Sequence, residues 1–256
     1  MTNFKLNYTR KGSISSETIL FIHPLGADNS VFDEVIFELK NHYNCYAVDI
    51  RGHGKSPISN DEFSINQMAK DISYTLDFKD PVHVMGVSIG GMIAMSLAIH
   101  NLVSIKKLIL SDTGHVIGNK EIWQERINLV QEGGVAKVVD MALERWFPKQ
   151  FRDNCPEKIK LCRSLQLQTH KDGYIGACKA IQLADFTHDL KKISNETLVL
   201  NGSDDISTPP SLGKELSASI KHSKFIELEG IGHVPPIQDP SLTIKILKNF
   251  LLSKVL

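Results

Sequence analysis

The stretch VHVMGVSIGGMIAMSLA, residues 82–98, restricts the fold more than any other part of the chain. Its β-branched first half predicts a buried strand, and its second half, rich in small and unbranched residues, predicts a helix. Ser88 stands at the junction and forms the pattern Gly-x-Ser-x-Gly with Gly86 and Gly90. A serine on so sharp a turn needs small residues two positions before and after it. Because a strand and a helix flank the pattern, it favours a nucleophilic Ser88 over an ordinary turn.

Strand-like apolar runs alternate with helix-like segments through the first part of the chain. The runs are TILFIH (18–23), NCYAVDI (44–50), PVHVMG (81–86) and IKKLILSD (105–112). Continuous apolar runs of this length are typical of strands that are buried on both faces. The alternation therefore predicts an α/β fold, with a mostly parallel central sheet flanked by helices.

This alternation stops between residues 118 and 192, where the patterns are helical and no convincing strand occurs. It resumes with TLVLNGSDD at 197–205. We therefore predict a core made of residues 1–117 and 193–256, and an all-helical insertion at 118–192. Such an insertion would form a cap over the carboxyl edge of the sheet, where open α/β sheets bind ligands.

Composition argues against several other classes of protein. Lys and Arg together number 29, as do Asp and Glu, so the formal net charge is zero and neither nucleic acid nor an anionic membrane is an expected partner. The chain shows no membrane-spanning run, no signal-peptide pattern and no Cys-x-x-Cys pair among its four cysteines. We expect a cytoplasmic protein with reduced thiols. Without a metal-ligand cluster or a Gly-x-Gly-x-x-Gly loop, we expect neither metal nor cofactor.

A nucleophilic serine needs a base and an acid, which follow it along the chain in this type of site. His233, in LEGIGHVPP, comes after the last predicted strand and is the candidate base, with a solvent-exposed loop histidine as the alternative. Asp204 and Asp205 both follow TLVLNG. The spacing Gly-x-x-Asp-x-x-Thr-Pro favours Asp205, while Asp112, which follows an earlier strand, remains an alternative acid.

When a serine attacks a carbonyl, the oxyanion that forms on the carbonyl oxygen needs two backbone N–H donors. The amide of Ile89, directly after the serine, is one candidate. The other should come from the loop HPLG at 23–26, where Pro24 has no N–H and Leu25 is therefore the candidate. We interpret His23 as a residue that orders this loop.

Five motifs occur in an order that resembles the α/β-hydrolase superfamily: HPLG, DIRGHGKS, GVSIGG, GSDDISTPP and GIGHVPP. In the insertion, ERWF and the later TH-x-x-GYIGACKAIQLADF are similar to the cap of 3-oxoadipate enol-lactonases. The resemblance implies an α/β-hydrolase fold and a cofactor-independent serine hydrolase. Its substrate would be a small carboxylic ester or lactone, such as 3-oxoadipate enol-lactone, cleaved through an acyl-enzyme. Haloalkane dehalogenases and epoxide hydrolases of this fold carry an aspartate nucleophile, whereas position 88 is serine.

The insertion should supply the residues that select the substrate. Tyr174, between two glycines, and Trp146 are candidate pocket residues, although Trp146 could equally pack inside the insertion. An anionic substrate would need a cation, for which Arg145, Arg163 and Lys179 are candidates, each with a solvated surface charge as the alternative. Other possible functions are a broad-specificity carboxylesterase, a carbon–carbon bond hydrolase, a perhydrolase or a slow-turnover ligand receptor. The oligomeric state is left open.

Overall fold

The computed structural model describes residues 4–58 and 62–253, and their strands belong to one sheet. The strands are β1 (Tyr8–Lys11), β2 (Thr18–Ile22), β3 (Asn44–Val48), β4 (Val82–Val87), β5 (Ile105–Ser111), β6 (Glu196–Gly202) and β7 (Ser223–Leu228). The sheet has the order β1-β3-β2-β4-β5-β6-β7. β1 pairs antiparallel with β3, and the other neighbouring strands are parallel. The predicted mostly parallel sheet is therefore confirmed.

Helices connect the strands and cover the sheet. They are α1 (Asp33–Leu39), α2 (Ile65–Thr75), α3 (Ile89–Ile99), α4 (Lys120–Gly133), α5 (Val139–Trp146), α6 (Lys149–Asn154), α7 (Pro156–Gln168), α8 (Lys171–Gln182), α9 (Pro210–Ser219), α10 (Pro235–Gln238) and α11 (Pro240–Leu252). None of those in the described ranges is both long and apolar enough to cross a membrane.

The central strands are buried on both faces, as their continuous apolar runs predict. In β2, Ile19 and Phe21 pack into one cluster with α1 and α11, whereas Leu20 and Ile22 point into the other with α2 and α3. Successive side chains of a strand point to opposite faces, so each face receives every second residue. Both faces are therefore filled, which leaves the carboxyl edge of the sheet as the place where open α/β sheets bind ligands.

Residues 118–192, between β5 and β6, contain α4 to α8 and no strand. Helices α4, α5 and α8 correspond to the helical patterns KEIWQERINLVQEGG, VAKVVDMALERWF and GYIGACKAIQLADF in the sequence. The sequence patterns do not predict α6 and α7. Helix α6 has no buried residue and α7 buries only Cys162 and Gln166, so neither displays the periodic apolar stripe by which a helix is recognised.

Candidate active site

Ser88 lies between β4 and α3 with φ 57° and ψ −120°. This left-handed backbone is unusual for a residue with a side chain, and among the described non-glycine residues it occurs only at Ser88, Asn101 and Asp112. A Cβ added to Gly86 would lie 2.1 Å from the carbonyl oxygen of Gly90, and one added to Gly90 would lie 2.2 Å from that of Ile22. The two glycines are therefore needed because the backbone approaches too closely for a side chain.

Two hydrogen bonds from the end of β5 fix this turn. The N–H of Ser88 donates to the carbonyl oxygen of Ser111 at 3.0 Å. The hydroxyl of Thr113 donates to the carbonyl oxygen of Ser88 at 2.7 Å. The serine backbone is thus held on both sides, and its side chain is left 8% exposed at the sheet edge.

His233 and Asp205 form a buried pair on the loops that follow β7 and β6. The Nδ1 of His233 lies 2.8 Å from Oδ2 of Asp205, and both side chains are almost completely buried. A proton on Nδ1 donated to Asp205 leaves Nε2 as a hydrogen-bond acceptor. The backbone N–H of His233 donates to the carbonyl oxygen of Trp146, which ties this loop to α5.

Asp205 accepts three further hydrogen bonds. Its Oδ2 accepts the hydroxyl of Thr208 at 2.6 Å, and its Oδ1 accepts the N–H groups of Ser207 and Thr208 at 2.8 and 3.1 Å. Burial opposes ionisation, but the charge and hydrogen bond of His233 and the bonds of Thr208 outweigh it and lower the pKa of Asp205. Asp205 is therefore held as a carboxylate beside the imidazole.

The other two candidate acids make no hydrogen bond to His233. Asp204 is exposed, and its carboxylate accepts the hydroxyl of Ser203 at 3.0 Å. Asp112 is fully buried at the end of β5 and contacts the carboxyl of Asp205. Of the three carboxyls, Asp205 is the one bonded to the imidazole of His233.

The loop after β2 brings Leu25 beside the serine. Leu25 and Ser88 line the same cavity, and Ile89 begins α3, whose first N–H groups have no acceptor within the helix. His23 orders the loop: its Nδ1 lies 2.8 Å from the Pro24 oxygen, and its Nε2 accepts the N–H of Ile50 at 3.0 Å. These two bonds require a neutral ring, and burial lowers the pKa of His23 accordingly.

A cavity of about 180 Å³ lies between the sheet edge and the insertion. Its floor contains Leu25, Ser88, Thr208 and His233. Its roof is largely apolar and aromatic, and comes from α4, α5 and α8. The main roof residues are Trp123, Leu129, Met141, Ala142, Trp146 and Tyr174. Both candidate pocket residues, Trp146 and Tyr174, therefore reach the cavity that contains the serine.

Two arginines also line this cavity, Arg126 from α4 and Arg145 from α5. Arg145 donates to the carbonyl oxygen of Ile206 at 2.7 Å. Partial burial and, secondly, the nearby positive charge of Arg126 lower the pKa of Arg145. Among the described residues of the cavity wall, Glu125 is the one carboxylate, so the positive charges of these residues outnumber the negative ones.

The remaining candidate cations lie on the surface. Arg163 pairs with Asp140 at 2.9 Å, and Lys179 pairs with Glu62 at 2.9 Å. Sequence reasoning missed Arg126. The sequence does contain a signal for it, because Arg126 stands three residues after Trp123 and therefore lies on the same side of α4 as this buried residue, next to the apolar stripe.

Tyr174 is buried and joins the roof to the loop that carries Leu25. A Cβ added to Gly26 would lie 3.0 Å from its Cε2 atom, so the ring packs directly on the loop that carries Leu25. Its hydroxyl is hydrogen-bonded to Arg126, and burial raises the pKa of the phenol. The ring of Trp146 lies next to that of His233, with the two ring centroids 6.2 Å apart.

A sequence model of the alpha/beta hydrolase family matches residues 19–245. The chain belongs to this family. The 3-oxoadipate enol-lactonase 2 of Acinetobacter baylyi is 30% identical over 237 residues, covering 92% of this chain and 88% of that protein. A pimeloyl-(acyl-carrier protein) methyl ester esterase of Neisseria meningitidis is 28% identical, covering 85% of this chain and 71% of that protein.

Solved structures of the alpha/beta hydrolase family agree with the sequence relatives. The enol-lactonase from Burkholderia xenovorans LB400 superposes with a TM-score of 0.93 at 27% identity, covering 97% of this chain and 96% of that chain. The predicted α/β-hydrolase fold and the resemblance to enol-lactonases are both confirmed by these similarities.

Proposed function

We propose that this alpha/beta hydrolase cleaves small carboxylic esters or lactones that carry a free carboxylate, through an acyl-enzyme on Ser88. One observation carries the proposal: a serine beside a histidine–aspartate pair opens into the same cavity as two arginines. The serine and histidine supply acyl transfer, and the arginines supply a site for a negative charge.

In the proposed first half-reaction, Nε2 of His233 takes the proton from Ser88 as the serine oxygen attacks the carbonyl carbon. The N–H groups of Leu25 and Ile89 stabilise the oxyanion. The tetrahedral intermediate then breaks its carbon–oxygen bond, and the imidazolium of His233 gives its proton to the leaving oxygen. Asp205 stabilises the imidazolium and holds the ring.

In the second half-reaction, His233 removes a proton from water as the water oxygen attacks the acyl carbon, the bond between that carbon and the serine oxygen breaks, and His233 returns the proton to Ser88. With a lactone, the leaving oxygen stays attached to the acyl chain, so both ends of the opened ring occupy the cavity. The roof has to accommodate them together while it limits the access of bulk water.

The arginines set the substrate class in this proposal. A guanidinium binds a carboxylate through two parallel hydrogen bonds, and the bond strengthens in an apolar surrounding such as this roof. The named substrate of the Acinetobacter relative fits this requirement, because an enol-lactone of 3-oxoadipate, a dicarboxylate, keeps one carboxylate unesterified. We therefore favour 3-oxoadipate enol-lactone or a close analogue.

We also propose that residues 118–192 act as a cap on a core formed by 1–117 and 193–256. The roof residues of the cavity come from this segment, and its backbone meets the core at the His233 loop. A cytoplasmic location fits the four cysteines, each of which is free.

The test compares two lactones that differ in one charge. Purified protein is assayed with a five-membered enol lactone that bears a carboxymethyl group, and with its neutral primary amide. We expect kcat/KM to be at least about tenfold higher for the carboxylate. Equal values for the two lactones, with faster cleavage of neutral acetyl esters, would instead indicate a broad-specificity carboxylesterase. Absence of turnover on esters and lactones alike would contradict the proposal and favour a ligand receptor.

A further inference from the structure

A short segment at the end of β5 connects the serine with the acid. Ser111 and Thr113 hold the backbone of Ser88 by the two hydrogen bonds described above. Between them, Asp112 donates its N–H to the carbonyl oxygen of Leu200 in β6 at 2.8 Å, in a left-handed conformation with φ 49°. The carboxyl of Asp112 is thereby directed toward the loop that carries Asp205.

The carboxyl of Asp112 is completely buried and has three neighbours. Its Oδ1 accepts the N–H of Gly202 at 2.9 Å, its Oδ2 accepts the hydroxyl of Ser111 at 2.6 Å, and it forms a hydrogen bond with the carboxyl of Asp205. The charged group whose electrostatic field acts on the carboxyl of Asp112 is Asp205, which on its other side is hydrogen-bonded to His233. Two carboxyls in contact away from water cannot both be ionised, so the pair must hold a proton.

The number of hydrogen-bond donors to each carboxyl shows which of the two groups carries the negative charge. Asp205 accepts four hydrogen bonds, from His233, from the Thr208 hydroxyl and from two backbone N–H groups. Asp112 accepts two, from Gly202 and Ser111. Donors stabilise a carboxylate more than its acid form, so the negative charge belongs on Asp205 and the proton on Asp112.

We propose that Asp112 is a neutral carboxylic acid that donates a hydrogen bond to Asp205 and so holds this carboxylate against His233. Asp112 touches no substrate and is a positioning residue. Burial and, secondly, the charge of Asp205 raise the pKa of Asp112 well above its usual range, which agrees with this assignment. The charge state of Asp112 does not depend on the proposed function, whereas its positioning role rests on the proposed function.

The first arm of the test measures the proton by its effect on stability. A carboxyl that keeps its proton when folded and loses it when unfolded makes the folded protein less stable as pH rises above about 4. Asp112→Asn has no such proton. The ratio of unfolding equilibrium constants, native over Asp112→Asn, should rise about tenfold per pH unit from about pH 5 until Asp112 ionises. Chemical denaturation at each pH measures it.

Asp204→Asn is the matched control, because Asp204 is exposed one position from Asp205. The ratio of unfolding equilibrium constants, native over Asp204→Asn, should stay within about twofold over the same pH range. A ratio for Asp112→Asn that is equally flat would show that Asp112 is ionised in the folded protein, and would overturn the proposal whether or not any ester is hydrolysed.

The second arm measures the positioning role by activity. The side-chain amide of Asp112→Asn can donate to Asp205 and accept from Gly202, so kcat should stay within about threefold of the native value. Asp112→Ala loses the donor, and its kcat should fall by about tenfold or more with KM little changed. Asp112→Ser gives the same comparison if the alanine variant does not fold. A loss in Asp112→Asn as large as that in Asp112→Ala would mean that the negative charge matters, and would overturn the proposal.

Discussion

The floor and the roof of the cavity are built on different principles. The floor residues are positioned by the backbone: Ser88 has a left-handed φ, and the surrounding backbone leaves no room for a side chain at Gly86 and Gly90. The roof residues stand on ordinary helices and reach the cavity only through their side chains, as Arg126 and Tyr174 do. A roof residue that does not touch the floor loops can therefore change without disturbing the fold of the floor, which allows one chemistry to be combined with many selectivities.

The two regions nevertheless meet at defined contacts. The carbonyl oxygen of Trp146 accepts the N–H of His233 at 2.7 Å, and Arg145 donates to Ile206 on the loop that carries Asp205. A Cβ on Gly232 would lie 2.2 Å from the same Trp146 oxygen. Substitutions in the C-terminal part of α5 should thus affect the loops that carry Asp205 and His233 as well as the roof, whereas those in α4 should affect the roof alone.

The largest expected effect belongs to the floor. Ser88→Ala removes the attacking oxygen, and kcat should fall by about 10⁶-fold, as for serine nucleophiles elsewhere. A fluorophosphonate should give one adduct in the native protein and none in this variant, measured by intact mass and peptide mapping. Ser73→Ala, on the exposed side of α2, is the control and should be labelled like the native protein. Undiminished labelling of Ser88→Ala would remove the assignment of the nucleophile.

A smaller effect separates two neighbouring acids of the same loop. Asp205→Ala removes the carboxylate bonded to His233, so kcat should fall by about 10³ to 10⁴-fold. Asp204→Ala changes an exposed side chain and should cost less than about threefold. Steady-state kinetics on one aryl ester measures both. If Asp204→Ala proves the crippling change, the geometry described here is not the one used in catalysis.

The contrast between floor and roof also explains what sequence could predict. The motif around Ser88, the choice of Asp205 over Asp204 as a candidate and the position of His233 all follow from local spacing, because turns and loops need particular residues at fixed offsets. The partners of Asp112 could not be predicted, since they depend on how β5 and β6 pair. Of the three candidate cations, Arg145 reaches the cavity and Arg163 pairs with Asp140 on the surface. The sequence could not select Arg145, because nothing local distinguishes it from Arg163.

The roof should act on selectivity and leave the chemistry unchanged. Arg126→Gln removes one cation of the cavity, so kcat/KM for the carboxylate lactone should fall by about 30-fold, or about 2 kcal/mol. The neutral amide of that lactone should change by less than about twofold. Arg163→Gln, which alters a surface pair with Asp140, is the matched control and should leave both values unchanged. An equal loss on both lactones would mean that Arg126 supports the fold of the roof and does not bind the carboxylate.

The smallest expected effect concerns Tyr174, and it needs two variants to be interpreted. Tyr174→Ala would leave a void against Gly26 and should lower the free energy of unfolding by about 3–5 kcal/mol, so its effect on activity mixes packing with selection. Tyr174→Phe keeps the ring and removes only the hydroxyl that is bonded to Arg126. We expect kcat/KM for the carboxylate lactone to fall at least about tenfold in Tyr174→Ala and about threefold in Tyr174→Phe, with a small acetyl ester unaffected by the second change. Thermal unfolding of each variant separates the two causes. A native-like Tyr174→Phe beside a Tyr174→Ala that loses activity equally on both substrates would show that the ring acts through packing on the loop that carries Leu25, and selection would then rest on the arginines alone.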